Sequence, residues 1–435
     1  MFWQAPLSPV PPCVNSEFMP NRRNAVYFFI TLSLLGGLLT GRAFFFNLAY
    51  WFGGMLILSL LWAWISVRWI GISRKTKTSR TQVGKRLEES FTVTNHSLLP
   101  KLWLEVNDES TFPGHRAGHV VPWLSWRGSY RWTVETYCIV RGEFRLGPLT
   151  ILSGDPFGLF LFPRRIAAMS RLIVYPAVVP IVKFALPSGV LSGGDTRHKR
   201  AQYTTTDAAG VREYVTGDGF NRIHWASTAR RDMLMVKEFE NAPKLDVWLL
   251  IDFSASGLVE LPGLRRASTN GAVLPIDGAL PPSSEEYAVS IGASLAQYLI
   301  NSERALGFTA YTPHREVFQP ERGARQLFKI MEVLAVARSI STYTLAQMLS
   351  LELPFMTRGT TLVIITASID IEWMTQAQIA IRRGVRPVCI LLDPQSFGGT
   401  QSFEDARTML SVARIPTLTI RYGDDLTYAL AQTPI

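Results

Sequence analysis

The chain has 435 residues, with 44 Lys and Arg against 34 Asp and Glu for a formal net charge of +10, 47% hydrophobic residues and three cysteines. That length exceeds one ordinary domain and points to two or three folded units, while the widely spaced Cys13, Cys138 and Cys389 exclude a disulfide framework or a paired thiolate metal site. A positive charge of this size suits nucleic acid, but the basic residues concentrate in one juxtamembrane cluster and RNA- and DNA-binding signatures are missing, so no nucleic acid partner is expected.

Residues 1–24 are proline-rich and unpatterned and are expected to be disordered; Met19, directly before Pro20 and Asn21, is an alternative start. From Ala25 to Gly41 no charge occurs, and after Arg42 a second apolar run extends to Val67 with Trp51, Trp62 and Trp64. A bilayer takes roughly 20 apolar residues per helix, so 25–67 reads as a two-helix transmembrane hairpin. A cleaved signal peptide would need a small-residue cleavage site, yet Gly41-Arg42-Ala43 leads into more membrane-grade sequence. Arg22 and Arg23 precede the first span, and Arg68, Arg74, Lys75, Lys77, Arg80, Lys85 and Arg86 follow the second. Positive residues stay inside, and the later cluster is read as attracted to anionic lipid. The expected location is the inner (cytoplasmic) membrane, multi-pass, with the large C-terminal body in the cytoplasm.

Over 82–165 short alternating segments such as Glu89 to Asn95, Leu102 to Val106 and Arg131 to Tyr137 predict antiparallel strands and a small β-sandwich-like domain. It ends in Arg141-Gly-Glu-Phe-Arg-Leu-Gly-Pro148 and Asp155-Pro-Phe-Gly-Leu-Phe160, read as turns, with docking on the next domain as the alternative for the second. Residues 166–244 form a linker that leads into a dense Arg/Trp block. From 245 to 435 strands over 247–251, 305–311, 361–366, 386–392 and 417–420 alternate with helices near 284–302, 323–338, 371–383, 403–413 and 424–431. Such alternation predicts a mostly parallel sheet with helices on both faces. Asp252, Ser254 and Ser256 fall just past its first strand, where open α/β sheets bind ligands. The insert 257–283 is expected to be disordered alone and to overhang this face.

The block Arg212-Glu213-Tyr214, Gly217-Asp218, Arg222-Ile-His224-Trp225 and Ala229-Arg230, followed by Leu234 to Glu240, resembles the signature of the bacterial family DUF58 (domain of unknown function fifty-eight); the upstream Leu-Gly-Pro and Asp-Pro-Phe-Gly-Leu-Phe elements look like that family's N-terminal part. The resemblance implies a membrane protein with a von Willebrand factor A-like, Rossmann-type α/β domain, associated with a MoxR-type AAA+ ATPase and, frequently, with a transglutaminase-like membrane protein. It also implies a MIDAS-like Mg²⁺ loop, matched by Asp252, Ser254 and Ser256. The remaining ligands depart from the pattern: the middle loop, placed near Glu321 to Arg325, offers no hydroxyl, and Ala367 stands after the fourth strand where an acid is expected, leaving Asp370 to reach in or to cap a helix.

In the Arg/Trp block Arg212, Arg222, Arg230 and Arg231 alternate with Glu213, Asp218, Asp232 and Glu238, so ion pairs can neutralise much of it. His224 beside Trp225 reads as a hydrogen-bonded structural residue, because no Ser or Cys nucleophile pairs with it. Arg212, Glu213, Tyr214, Gly217, Asp218, Arg222, His224, Trp225 and Arg230 are expected to form an interaction surface, Trp and Arg being the usual interface anchors. The functional expectation is a non-enzymatic membrane-anchored adaptor. The alternative is a hydrolase or transferase using Asp252, Asp218 and His224.

Overall fold

The structure is a computed structural model that describes residues 20–186, 208–215, 220, 223–239, 246–255, 259, 280–400 and 402–432. The chain forms two compact units, one built on the residues up to Ala177 and the other on Val178–Leu261, Pro281–Ile330 and Ala337–Ile435.

The first unit opens with helices α1 (Pro20–Thr40) and α2 (Ala43–Val67). Both are long and apolar enough to cross a membrane, and only 11% of either apolar window is buried within the protein. The turn between them uses Gly41 at φ +63, where a side chain would be strained. Phe29 of α1 stacks on Phe52 of α2 at 5.7 Å. Helix α1 already begins at Pro20, inside the segment expected to be disordered.

Ten strands follow: β1 (Ile70–Thr76), β2 (Arg80–Gln82), β3 (Arg86–Asn95), β4 (Lys101–Asp108), β5 (His119–Leu124), β6 (Ser129–Tyr137), β7 (Gly142–Leu146), β8 (Leu149–Gly154), β9 (Leu161–Ile166) and β10 (Ser170–Tyr175). They form sheets ordered β1-β3-β6, β5-β4-β8-β9 and β2-β10-β7. Ile70 and Val93 of the first sheet meet Leu104, Val106, Val121 and Ile151 of the second in one core, the face-to-face packing that period-two alternation demands. The strands start at Ile70 and run to Tyr175, beyond both expected limits of 82 and 165. The early limit failed because Arg74, read as part of the lipid-facing basic cluster, points into the domain instead.

That arginine sits in a buried charge cluster. Its Nε and Nη2 take the two oxygens of Glu89 at 2.9 and 3.1 Å, and Nη2 also reaches Asp108 at 2.7 Å. His115 Nε2 lies 3.0 Å from Asp108 and 3.1 Å from Glu89, with Nδ1 on the Thr136 hydroxyl at 2.8 Å. Thr76 and Ser110 hydroxyls donate to Glu89 and Asp108. All four charged side chains are 3% exposed or less. Burial alone would raise the Glu89 carboxyl, but His115, Arg74 and Thr76 outweigh it and hold it at about 2. Burial would lower His115, yet hydrogen bonds to Asp108 and Glu89 raise it instead. The imidazolium and guanidinium therefore balance two carboxylates, the condition under which buried charge is tolerated.

In the second unit β11 (Ala208–Glu213) pairs antiparallel with β12 (Met235–Phe239), and helix α3 (Trp225–Arg231) lies between them in sequence. The main sheet contains β13 (Val247–Ile251), β14 (Leu306–Thr312), β15 (His314–Glu321), β16 (Thr361–Thr366), β17 (Arg386–Leu392) and β18 (Thr417–Ile420) in the order β15-β14-β13-β16-β17-β18. All neighbours are parallel except β14 and β15. The connecting helices are α4 (Ser284–Asn301), α5 (Ala324–Val336), α6 (Leu345–Glu352), α7 (Ile371–Arg382), α8 (Glu404–Val412) and α9 (Leu426–Ala429). Every residue of β13 is buried, as a strand covered on both faces must be. Trp248 and Leu250 pack with Leu349 of α6, Trp373 of α7 and Leu410 of α8 on one face. On the other, Gly292 of α4 rides directly over Ile251, where a Cβ would collide with the isoleucine side chain. The expected α/β architecture is thus observed, with two elements unforeseen: edge strand β15 and helix α6, which opens with a Thr344/Gln347 capping box.

Candidate functional site: the carboxyl end of the C-terminal sheet

Strand β13 delivers Asp252 to the end of the sheet, and the Asp252 N–H continues the ladder onto Ile365 O of β16 at 2.9 Å. The neighbouring strand delivers Thr366. Its hydroxyl donates to Asp252 Oδ2 at 2.7 Å, while the Ser254 N–H donates to Oδ1 at 2.9 Å. Thr366 Oγ1 in turn accepts the Ser368 N–H at 2.9 Å, and the Ser368 hydroxyl donates to Asp370 Oδ2 at 3.0 Å. Trp373, fully buried, fixes this turn by donating its indole N–H to Ser368 O at 3.1 Å. Asp370 occupies the N-cap position of α7, but its carboxylate bonds Ser368 rather than the helix N–H groups. It is the exposed acid of the group, whereas Asp252 is completely buried.

A third segment closes the rim. Ser254 and Ser341 form a parallel bridge in which the Ala255 N–H donates to Ser341 O and the Ser341 N–H to Phe253 O, both at 3.1 Å. The segment Ser341 to Thr344 thus brings hydroxyls beside Ser254, whereas Glu321 ends β15 and Arg325 lies in α5. One strand further along, Asp393 ends β17 with 5% exposure, its Oδ1 accepting the Gln395 N–H at 3.0 Å. It was missed although Leu391-Leu392-Asp393 repeats the apolar-run-then-acid pattern of Leu250-Ile251-Asp252.

Burial pushes the Asp252 carboxyl up, against the hydrogen bonds from Ser254 and Thr366 that lower it, and the nearby Asp370 charge adds to the rise. Among the described residues no Lys or Arg pairs with Asp252. Of the four expected metal ligands, Asp252, Ser254 and Asp370 are brought to one rim, and Ser256 lies outside the described residues. Among the described residues no three His, Cys, Asp or Glu side chains cluster as a metal site. What the rim offers is hard oxygen: Asp252 and Asp370 stand among hydroxyls with no Lys or Arg paired to them among the described residues, while Asp393 meets Arg421 Nε at 3.4 Å, and such oxygen donors suit Mg²⁺ and not a soft metal.

Of the Arg/Trp motif, Gly217, Asp218 and Arg222 lie outside the described residues. His224 is the N-cap of α3: its Nδ1 faces the Ser227 hydroxyl at 2.7 Å and accepts the Ser227 N–H at 3.2 Å. Its backbone N–H donates to Met235 O, which ties the helix to β12. Tyr214 stacks near Phe220 at 6.1 Å, and Arg212 Nη1 donates to Glu213 O. Trp225 is 67% exposed, and Arg230 lies in the last turn of α3, where a cation complements the helix dipole. No sequence signal announces the His224 cap, since histidine is not among the preferred N-cap residues.

These features define an α/β domain whose sheet ends in a hydroxyl and carboxylate rim, carried on a chain with two apolar N-terminal helices. The family model described as "Protein of unknown function DUF58" matches residues 210–261, the span from β11 past Asp252 and Ser254. The uncharacterized protein YeaD of Bacillus subtilis (strain 168) is 24% identical over 277 residues. That match covers 61% of this chain and 62% of the relative, so less than two thirds of the relative's length is spanned. Both place the chain's likeness with DUF58 proteins. Among solved structures, proximal thread matrix protein 1 from the mussel byssus is similar at 12% identity and a TM-score of 0.29, covering 43% of this chain and 46% of that one. Alkylpurine DNA glycosylase AlkC of Pseudomonas fluorescens gives 13% identity and a TM-score of 0.18 over 35% of this chain and 46% of its own.

Proposed function

We propose that this protein is a membrane-anchored, non-enzymatic adaptor whose von Willebrand factor A-like C-terminal domain grips another protein, with a MoxR-type AAA+ ATPase as the partner that the family resemblance implies. In this reading α1 and α2 hold the chain in the inner membrane and the α/β domain works on the cytoplasmic side. The observation that carries it is the Asp252 carboxylate, buried at the carboxyl end of the sheet among hydroxyl and amide donors with no countercharge among the described residues. Such a group suits cation-assisted capture of a partner's carboxylate better than nucleophilic catalysis, for which a nucleophile and base within hydrogen-bond reach would be needed. His224, one of the three residues of the enzymatic alternative, is engaged as a helix cap.

Mg²⁺ would be held by Asp252, Ser254, Ser256 and Asp370, with Ser341 and Ser368 beside them. Bound there, the ion would supply a hard positive centre open to an acidic side chain. The exposed Trp225 and the arginines of α3 offer a second contact of the aromatic and guanidinium type that anchors interfaces. Co-purification of the detergent-solubilised chain with the MoxR-type ATPase, with and without Mg²⁺ and ATP, tests the reading. Asp252→Ala and Arg222→Ala should each abolish co-purification while leaving the unfolding transition in place. Normal binding by both folded variants would overturn the adaptor role.

A further inference from the structure

The end of the β-domain from which α2 enters is apolar in a way that core packing does not require. Helix α2 passes into β1 through Arg68 and Trp69. Ile70 pairs with Asn95, and Thr94 with Ser129, so the loops 96–100 and 125–128 lie at the same end as Trp69. Direct bonds confirm this: the His96 N–H donates to Trp69 O, and the Asn95 N–H to Gly128 O. β4 also starts there, since Lys101 Nζ reaches Ile65 O of α2 at 2.6 Å and Lys101 pairs with Leu124. Because Leu104 pairs with Ser153, the β8–β9 hairpin tip belongs to this end too, with Arg164 Nη1 on Val67 O at 3.0 Å.

The tips carry Trp69, Leu98, Leu99, Trp123, Trp126 and Phe157, each between 46% and 71% exposed. Phe157 shares a groove of about 690 Å³ with Trp51, Met55 and Leu58 of α2, so the hairpin lies along the apolar helix rather than away from it. Within that hairpin the backbone N–H groups are already satisfied. The Asp155 carboxylate accepts the N–H groups of Phe157, Leu159 and Phe160 at 2.9, 2.9 and 2.7 Å, and Gly158 N–H donates to Asp155 O. Pro156 has no N–H to satisfy. Pairing the donors in this way lowers the cost of moving the loop out of water toward the headgroup boundary. The opposite end of the domain carries Lys77, Lys85, Arg86, Glu88 and Glu135 around an open polar cavity.

We propose that this apolar end is a lipid-contacting surface: Trp69 and the three loop tips sit in the headgroup and acyl boundary of the bilayer that α2 crosses. The proposal rests on the membrane-anchored reading above. Bilayer lipid is the occupant because the patch is continuous with the uncovered flank of α2, and because Arg68, stacked 4.0 Å from Trp64, and the exposed Arg127 rim it with cations. Aromatic side chains with basic neighbours are what interfacial anchoring selects. The Asp155-Pro-Phe-Gly loop, read from sequence as a turn or a contact with the next domain, is in this view a membrane anchor.

The test uses the full chain reconstituted in lipid vesicles, with Cys13, Cys138 and Cys389 replaced by Ala. An environment-sensitive fluorophore is attached singly through Trp126→Cys, Phe157→Cys, Leu58→Cys or Glu88→Cys, and quenching by spin-labelled lipid is compared. Labels at 126, 157 and 58 should be quenched about twofold or more relative to 88, as expected for insertion roughly 5–10 Å below the surface. If 58 is quenched while 126 and 157 behave like 88, the lipid-contacting surface is wrong and the spanning helices stand. If 58 also escapes quenching, the membrane-anchored reading itself fails.

Discussion

The Glu89–Asp108 cluster of the β-domain and Asp252 of the α/β domain bury carboxylates in opposite ways. In the β-domain Glu89 and Asp108 are enclosed with Arg74 and His115, so charge is matched by charge in contact. In the α/β domain Asp252 is enclosed with a hydroxyl and a backbone amide, and no cation among the described residues answers it. The difference appears in the direction of titration. Glu89 is held down at about 2, while Asp252 is pushed up. A neutralised cluster is a structural solution complete in itself. An unneutralised carboxylate at a strand end costs stability unless something else arrives, and sites that accept such a cost are disproportionately functional.

The largest effect should come from breaking the matched cluster. Arg74→Ala leaves Glu89 and Asp108 facing each other with only His115 between them, and removal of one partner from a buried ion pair costs about 3–5 kcal/mol. Denaturant unfolding of the detergent-solubilised chain should show a loss of that order. A change near zero would mean that water replaces the guanidinium, and the contrast with Asp252 would weaken.

Next in size is a pH dependence. His115 is raised above its ordinary 6.5, so its contribution is fully present below about pH 6.5 and is lost as pH rises through the folded value. Glu89 is lowered from 4.5 to about 2, so its contribution is present above about pH 4.5 and fades as pH falls toward 2. Stability from this cluster should therefore peak between about 4.5 and 6.5. His115→Gln should remove the decline on the alkaline side and leave the acidic one. An unchanged alkaline limb would assign it to another group.

The same contrast explains what the sequence could and could not disclose. The strands 247–251, 361–366 and 386–392 were legible because each is a short, mostly apolar run buried on both faces, and 417–420 because its Leu418 and Ile420 alternate with threonines; all four are observed with those limits. Edge strand β15 was not legible, since Arg315 and Glu316 and the in-strand Pro320 mark it as loop. Asp252 and Ser254 could be placed from strand-end logic, whereas Thr366 and Ser368 enter only through cross-strand register. Arg74 was misread for a general reason: a basic residue after an apolar helix carries the same local signal whether it faces lipid headgroups or a buried glutamate. Only the partners at Glu89 and Asp108, distant in sequence, decide between them.

The smallest effect is expected at Asp252 itself, and it sharpens the comparison most. In Asp252→Asn the amide oxygen can keep the Ser254 N–H, and the new NH₂ meets Thr366 Oγ1, which already accepts the Ser368 N–H. One hydrogen bond is reversed in polarity while a buried charge disappears, so the two changes offset and stability without metal should move by less than about 1 kcal/mol. Magnesium should then separate the proteins. A ligand that binds only the folded state at a hundredfold excess over its Kd adds about 2.7 kcal/mol, and that gain should raise the Tm of the wild-type chain but not of Asp252→Asn. Equal shifts in both would place the ion elsewhere. A metal-free loss as large as that of Arg74→Ala would show that Asp252 is held by a cation after all, and the two sites would then bury charge alike.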